Sequence, residues 1–220
     1  MLDNYGIKLE VWGDYACFTR PEMKTERVTY DVISPSAARG ILDAIYWKPS
    51  IFWVIDALHV LKPIKFDNVR RNELSKRLPV GSIRKGMRND SVPVEIIIEE
   101  ERQPRATLLL RDVAYVIEAH FEFTSREDDI PAKHRSIFER RARKGQCYHR
   151  PYLGCREFAA NFRWLEGGIP KSSYVGNKDL GWMLFDIDFE SPDLDAMFYR
   201  ATMHNGIIDV PPRHAGEVKM

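Results

Sequence analysis

Apolar and charged residues alternate near the start of the chain, Ile7, Leu9 and Val11 against Lys8 and Glu10, which predicts a strand with one buried face. A short extended piece follows at Val28, Tyr30 and Val32. Ser34 then supplies a capping oxygen ahead of Pro35, and Ala37, Ala38, Ile41, Leu42, Ile45 and Tyr46 recur at helical spacing before Pro49, so a helix is expected to end near Tyr46. Ile51-Phe-Trp-Val-Ile predicts a second strand, with Leu61 as its furthest end. Residues 62–92 are polar, basic and weakly periodic, and read as a long loop or insertion. Val94-Glu-Ile-Ile-Ile and the run from Thr107 through Val113, Tyr115, Ile117, Ala119 and Phe121 read as the two strands of a hairpin. An acidic loop, Glu127-Asp-Asp, leads to Pro131, and residues 136–144 have helical character with Gly145 as the stop, which leaves Lys133 and His134 just ahead of that helix.

Beyond Arg150 the pattern turns to β: 152–164, 181–189, 197–203, and 207–210 after an Asn205-Gly206 turn. The order strand, helix, strand, strand, helix, with another strand expected next, resembles the split βαβ arrangement of ferredoxin-like folds, which RNA-recognition modules also use. The fold class expected is therefore α+β. A ferredoxin-like (RRM-like) N-terminal domain with an antiparallel β-sheet would span 1–147, and a small C-terminal β-sheet domain 148–220.

Composition narrows the picture little. The chain has 220 residues, 44% hydrophobic and 30% charged, as expected of a soluble globular protein, and no apolar run reaches the ~18 residues a membrane helix needs. The first residues lack a secretory pattern, so the expected location is cytoplasmic, with no membrane partner. The three cysteines, Cys17, Cys147 and Cys155, form no CxxC pair and suit a reducing compartment. Cys147, His149 and Cys155 have a spacing foreign to zinc sites and lack a fourth partner nearby, so the cysteines read as buried or idle thiols.

Charge adds more through its distribution than through its total of +1. Nine Lys or Arg between 62 and 88 face two acids, and seven between 133 and 150 face Glu139 alone, while 90–129 holds eleven acids and four bases. Segregation of this kind permits basic surface patches of the sort that bind phosphate, although a solvated helix or loop face would give the same runs.

The usual catalytic motifs are missing: there is no GxxxxGKS, HExxH, GxSxG or carboxylate cluster of metal-nuclease type. Three local patterns carry more. They are Gly13-Asp-Tyr-Ala-Cys-Phe, the stretch 34–40 leading into Ile45-Tyr-Trp-Lys-Pro-Ser, and Ala132-Lys-His-Arg-Ser-Ile. Val54-Ile-Asp-Ala-Leu, Leu110-Arg-Asp-Val-Ala-Tyr, Leu153-Gly-Cys-Arg-Glu and Met203-His-Asn-Gly support them in order and spacing. Together they resemble the CRISPR-associated Cas five family of the Dvulg (type I-C) subtype, from about residue 10 to 206. Residues 68–93 depart from that pattern, being more basic and poorer in glycine.

The resemblance implies a metal-independent endoribonuclease without cofactor, with Tyr46, Lys133 and His134 at its catalytic positions. It implies cleavage of the repeat hairpin of precursor CRISPR RNA by 2′-hydroxyl attack, giving a 2′,3′-cyclic phosphate and a 5′-hydroxyl. The protein would then stay on the 5′ handle among the other subunits of the type I-C surveillance complex. The residue types suit this chemistry. Imidazole exchanges protons near neutral pH, an ammonium offsets charge on a phosphate oxygen, and a phenol can donate or accept a hydrogen bond. Tyr46 and His134 both remain open as the general base. Arg135, Arg140, Arg141, Arg143, Lys144 and Arg150 are expected to hold the RNA backbone, with Lys76, Arg77, Arg84, Lys85 and Arg88 as a second patch. The competing reading is a non-catalytic RNA- or DNA-binding subunit that caps the guide RNA, and double-stranded DNA stays open as a further partner. The trio also demands one geometric result: the end of the first helix and the start of the second must meet.

Overall fold

The computed structural model describes residues 6–23, 26–89, 94–124, 130–189 and 191–219, so the acidic loop Glu127-Asp-Asp lies outside the described residues. Strand β1 (Ile7–Ala16) and the two-residue β2 (Arg27–Val28) precede helix α1 (Pro35–Ile45), followed by β3 (Ile51–Val60) and β4 (Phe66–Leu74). Two short helices, α2 (Val80–Gly86) and α3 (Ile98–Glu101), lead to the long β5 (Arg102–Phe123) and to helix α4 (Pro131–Arg143). The chain closes with β6 (Asn161–Trp164), β7 (Asn177–Ile187), β8 (Ala196–His204) and β9 (Ile207–Asp209). The fold is thus mixed α and β around a large antiparallel sheet of order β6-β1-β5-β3-β9-β8-β7. No helix among the described residues is long and apolar enough to cross a membrane.

Register explains how the core forms. Ile7, Leu9 and Val11 lie opposite Ala119, Ile117 and Tyr115, and Ile55 and Trp53 continue the row beyond Ala119 and Phe121, so strand alternation puts one apolar face across three strands. Helix α1 covers that face. Ser34 Oγ accepts from the Ala37 amide, Pro35 occupies the first turn, and Ala38, Ile41, Leu42 and Ile45 are buried beneath it. Helix α4 contributes much less apolar surface, a single stripe of His134, Phe138 and Ala142 spaced four apart. Phe138 packs its ring 4.8 Å from that of Trp53, which ties α4 to the sheet.

Several expectations change. Residues 62–92 are not simply a loop: they contain β4, whose residues are mostly exposed and which pairs with β5. Its side chains are mostly in water, so no apolar alternation announces it, and just past its end the Ser75 amide donates to the Glu101 carbonyl at 2.9 Å. The expected strand at Val94-Glu-Ile-Ile-Ile is also replaced, by irregular chain and the single turn α3. Ile97 and Ile98 are exposed and Ile96 is half-buried, with no strand alternation to bury them. Helix α4 begins at Pro131 rather than 136, because proline at the first helical position needs no amide partner, and Lys133 and His134 therefore lie inside its first turn.

By compactness the chain forms one unit of 1–67 with 108–220 and a second of 68–107. This division does not coincide with a boundary at 147/148. Strand β6 pairs with β1 at one end of the sheet and β9 pairs with β3, so residues after 148 share the ladder of those before it.

Candidate active site

The end of α1 and the first turn of α4 meet. Tyr46, the residue that ends α1, holds its backbone amide on the Leu42 carbonyl at 2.9 Å and takes an extended conformation, which turns its side chain off the helix axis. Its carbonyl receives the Trp53 indole N–H at 2.9 Å. Its hydroxyl lies 2.9 Å from His134 Nδ1. Phe121 and Phe123 stand 5.8 and 5.7 Å from the imidazole, ring to ring, so the pair sits in an aromatic enclosure and each member is only 1% exposed.

Lys133 occupies the same turn but points outward. It is exposed, with its amide on the Ile130 carbonyl at 3.0 Å and its own carbonyl accepting from Ser136 Oγ at 2.9 Å. The trio is therefore assembled by one helix end and one helix start, with two members enclosed and the third at the surface. An imidazole and a phenol in hydrogen-bond contact can pass a proton between them, and a surface ammonium can meet a phosphate oxygen.

The six basic residues expected on RNA have different surroundings. Arg141 is drawn inward, donating to the Ile45 carbonyl at 2.8 Å with its guanidinium carbon 5.2 Å from the Tyr46 ring centroid. It supports the tyrosine by satisfying a carbonyl at the end of α1 and covering the ring. Arg143 pairs with Glu139 at 2.7 Å and also with Glu166, while lying over Trp164. Arg140 donates to Gln146 Oε1 at 3.1 Å and Arg150 to Asn161 Oδ1 at 2.8 Å. Arg140, Arg143, Lys144 and Arg150 are exposed, whereas Arg135 is half-buried and lines a cavity of about 240 Å³ with Lys8, Asp56 and Glu118.

Two exposed aromatic residues stand here, of which sequence reasoning missed Trp47. Trp47 follows Tyr46 directly and is 59% exposed, and Tyr148, whose amide bonds the Ala44 carbonyl at 2.8 Å at the end of α1, is 89% exposed. Large aromatics kept in water beside basic side chains are suited to stack on an unpaired base. Tyr148 stands close in sequence to Lys144 and Arg150, whereas for Trp47 the sequence signal is its place beyond the helix end. The second basic patch, Lys76, Arg77, Arg84, Lys85 and Arg88, belongs to the unit 68–107, where Lys76 pairs with Glu101 at 2.6 Å.

Two other histidines, His59 and His120, are tied to acids. His59 Nε2 lies 2.6 Å from Glu118, and His120 Nδ1 lies 2.8 Å from Asp56. The Asp56 hydrogen bond raises the His120 pKa above its ordinary value, with further help from the Glu122 charge.

Residues 6–211 match the family of CRISPR-associated proteins denoted Cas_Cas5. A protein of Mannheimia succiniciproducens named CRISPR pre-crRNA endoribonuclease Cas5d is 54% identical over 221 residues, covering 97% of this chain and 98% of the relative. One of the same name from Thermus thermophilus is 38% identical, covering 93% and 91%. Among solved structures, a CRISPR-associated protein superposes with a TM-score of 0.70 at 28% identity, covering 98% of this chain and 96% of that one. A functionally uncharacterized protein from Streptococcus mutans gives 0.68 at 26% identity, covering 98% and 97%.

Proposed function

Because the chain belongs to the Cas5d family of CRISPR-associated proteins, we propose that it cuts the repeat hairpin of precursor CRISPR RNA at Tyr46, Lys133 and His134, without a metal. The observation that carries the site is the 2.9 Å contact between Tyr46 Oη and His134 Nδ1, made by residues 88 positions apart in the chain. With Nδ1 engaged by the phenol, proton exchange with RNA falls to Nε2. The Lys133 ammonium offsets the charge that develops on the phosphate, and the 2′-hydroxyl of the preceding nucleotide is the nucleophile, giving a 2′,3′-cyclic phosphate and a 5′-hydroxyl. Burial of the pair requires that RNA binding uncover it, and Lys133 is the member a phosphate meets first.

The finer fold reading is a ferredoxin-like core. It is supported by the chain order β1, α1, β3, β5, α4, β6 together with the sheet order β6-β1-β5-β3, antiparallel throughout. We assign RNA processing to residues 1–147, which hold the trio, and assign the β-rich 148–220 to the two edges of the sheet. The protein would work in the cytoplasm, remain on the 5′ handle it generates and there contact the other subunits of a type I-C surveillance complex.

A second reading, a guide-capping subunit without chemistry, is favoured by one observation: Tyr46 and His134 are 1% exposed, as a structural pair would be. Incubation of purified protein with repeat-hairpin RNA in EDTA separates the two. Cleavage that is lost in H134A and blocked by a 2′-deoxynucleotide 5′ of the scissile phosphate supports the enzyme and its site. Intact RNA with wild-type protein leaves the capping subunit, and cleavage that survives Y46F, K133A and H134A discards the site.

A further inference from the structure

Cys17 follows β1 directly, and Cys155 lies in the turn ahead of β6, 138 positions later. Their segments are held together by backbone contacts: the Cys17 amide donates to the Leu153 carbonyl at 3.0 Å. Gly154 allows the approach, since its φ of +85° is open to glycine and a Cβ there would collide with the Cys17 carbonyl. Thr19 Oγ1 lies 3.7 Å from each sulfur, and Cys155 Sγ also lies 3.5 Å from the Cys17 carbonyl oxygen.

We propose that Cys17 and Cys155 form an oxidant-sensitive pair, in which Cys155 attacks a hydroperoxide and Cys17 resolves the product to an intramolecular disulfide. The two sulfurs have the different surroundings those roles require. Cys155 is partly exposed and has the Arg27 guanidinium 3.8 Å from its sulfur, while Cys17 is fully buried. Arg27 is in turn paired with Glu157 at 3.1 Å, so Arg27, Thr19, Glu157, the Cys17 carbonyl and the partner thiol are among the polar groups around Cys155. The hydrogen bond from Cys17, with help from Thr19 and Arg27, lowers the Cys155 pKa to about 6. The same contact and burial push the Cys17 thiol far up, so Cys17 keeps its proton while Cys155 is the thiolate.

The steps balance. The Cys155 thiolate attacks one peroxide oxygen, the O–O bond breaks as the S–O bond forms, and the leaving hydroxide (or alkoxide) takes up a proton. The Cys17 sulfur then loses its proton and attacks the sulfenic sulfur, so that S–S forms, S–O breaks and a second hydroxide leaves as water. Two thiols lose two hydrogens, and hydrogen peroxide becomes two molecules of water. The disulfide would join the end of β1 to the turn preceding β6, two strands that are neighbours in the sheet.

The test uses the full chain and needs no RNA, so it stands apart from the ribonuclease reading. The rate of alkylation by iodoacetamide, followed residue by residue by mass spectrometry, should rise with pH at Cys155 with a midpoint near about 6. At pH 6 it should run roughly tenfold faster than for a small peptide thiol, the larger thiolate fraction outweighing the lower intrinsic nucleophilicity. Hydrogen peroxide should then yield a peptide cross-linked between Cys17 and Cys155, with Cys147 outside it. In C17A, Cys155 should instead accumulate as a sulfenic acid that dimedone traps. A Cys155 alkylation midpoint in the ordinary thiol range, or peroxide treatment that leaves both thiols free or carries Cys155 straight to the sulfinic acid in the wild type, overturns the proposal.

Discussion

Histidines occupy both faces of the same sheet, and their surroundings differ in kind. On β5, Phe121 and Phe123 point to the helix-covered side and touch His134, while Glu118 and His120 point the other way, as strand alternation dictates. On the covered side a histidine meets a phenol and two aromatic rings. On the other, His59 and His120 each meet a carboxylate. A carboxylate partner favours the charged imidazolium, and the Asp56 contact accordingly raises the His120 pKa. The Tyr46–His134 pair offers a proton path between a phenol and an imidazole, which is why we propose cleavage chemistry there and read the carboxylate-bound histidines as structural.

Substitutions can break this contrast. The largest effect is expected from H134A, which should slow single-turnover cleavage of repeat RNA by ~10²–10⁴-fold, while H120A leaves the rate unchanged. Equal losses in both variants would erase the distinction between the two faces. Next, K133A should reduce cleavage by about 10²-fold through the lost phosphate contact. Because Lys133 is exposed, the unfolding free energy of K133A, read from urea titration, should stay within about 0.5 kcal/mol of wild type. Y46F should do the reverse in emphasis: leaving His134 without the phenol in a buried site costs about 1–3 kcal/mol of stability, read from urea unfolding, together with a slower cut.

The smallest effect concerns pH. His120 has a folded pKa above its unfolded value of ~6.5, so its link to Asp56 contributes stability in full below ~6.5 and loses it as pH rises through the folded value. The stability difference between wild type and H120Q, measured by urea titration at several pH values, should therefore shrink as pH rises above neutrality. A difference that grows instead would show that Asp56 does not hold the proton on His120.

Much of the covered face was legible in the sequence. Ser34-Pro35 and the spacing of Ile41, Leu42 and Ile45 specify α1, since capping and periodicity are local properties. The alternation in 113–121 likewise specifies β5, and Asn205-Gly206, both at positive φ, specifies the turn between β8 and β9. The start of α4 could have been read from Pro131 and the four-residue spacing of His134, Phe138 and Ala142, but its charged composition conceals the stripe. β4 could not be read, because its residues are mostly exposed and its order comes from pairing with a distant strand.

For the site, residue identity came from the sequence and arrangement from the fold. The chain alone determined that a tyrosine ends one helix and that a lysine and a histidine adjoin another, because these follow from caps, prolines and short-range spacing. Only the packing of α1 and α4 on one sheet face decided that His134 turns inward to Tyr46 while Lys133 turns to solvent, and that Arg141 supports the tyrosine ring. Neighbouring positions on a helix point about 100° apart, so which of two adjacent residues is buried is fixed by where the sheet lies, a relation that no local stretch of sequence contains.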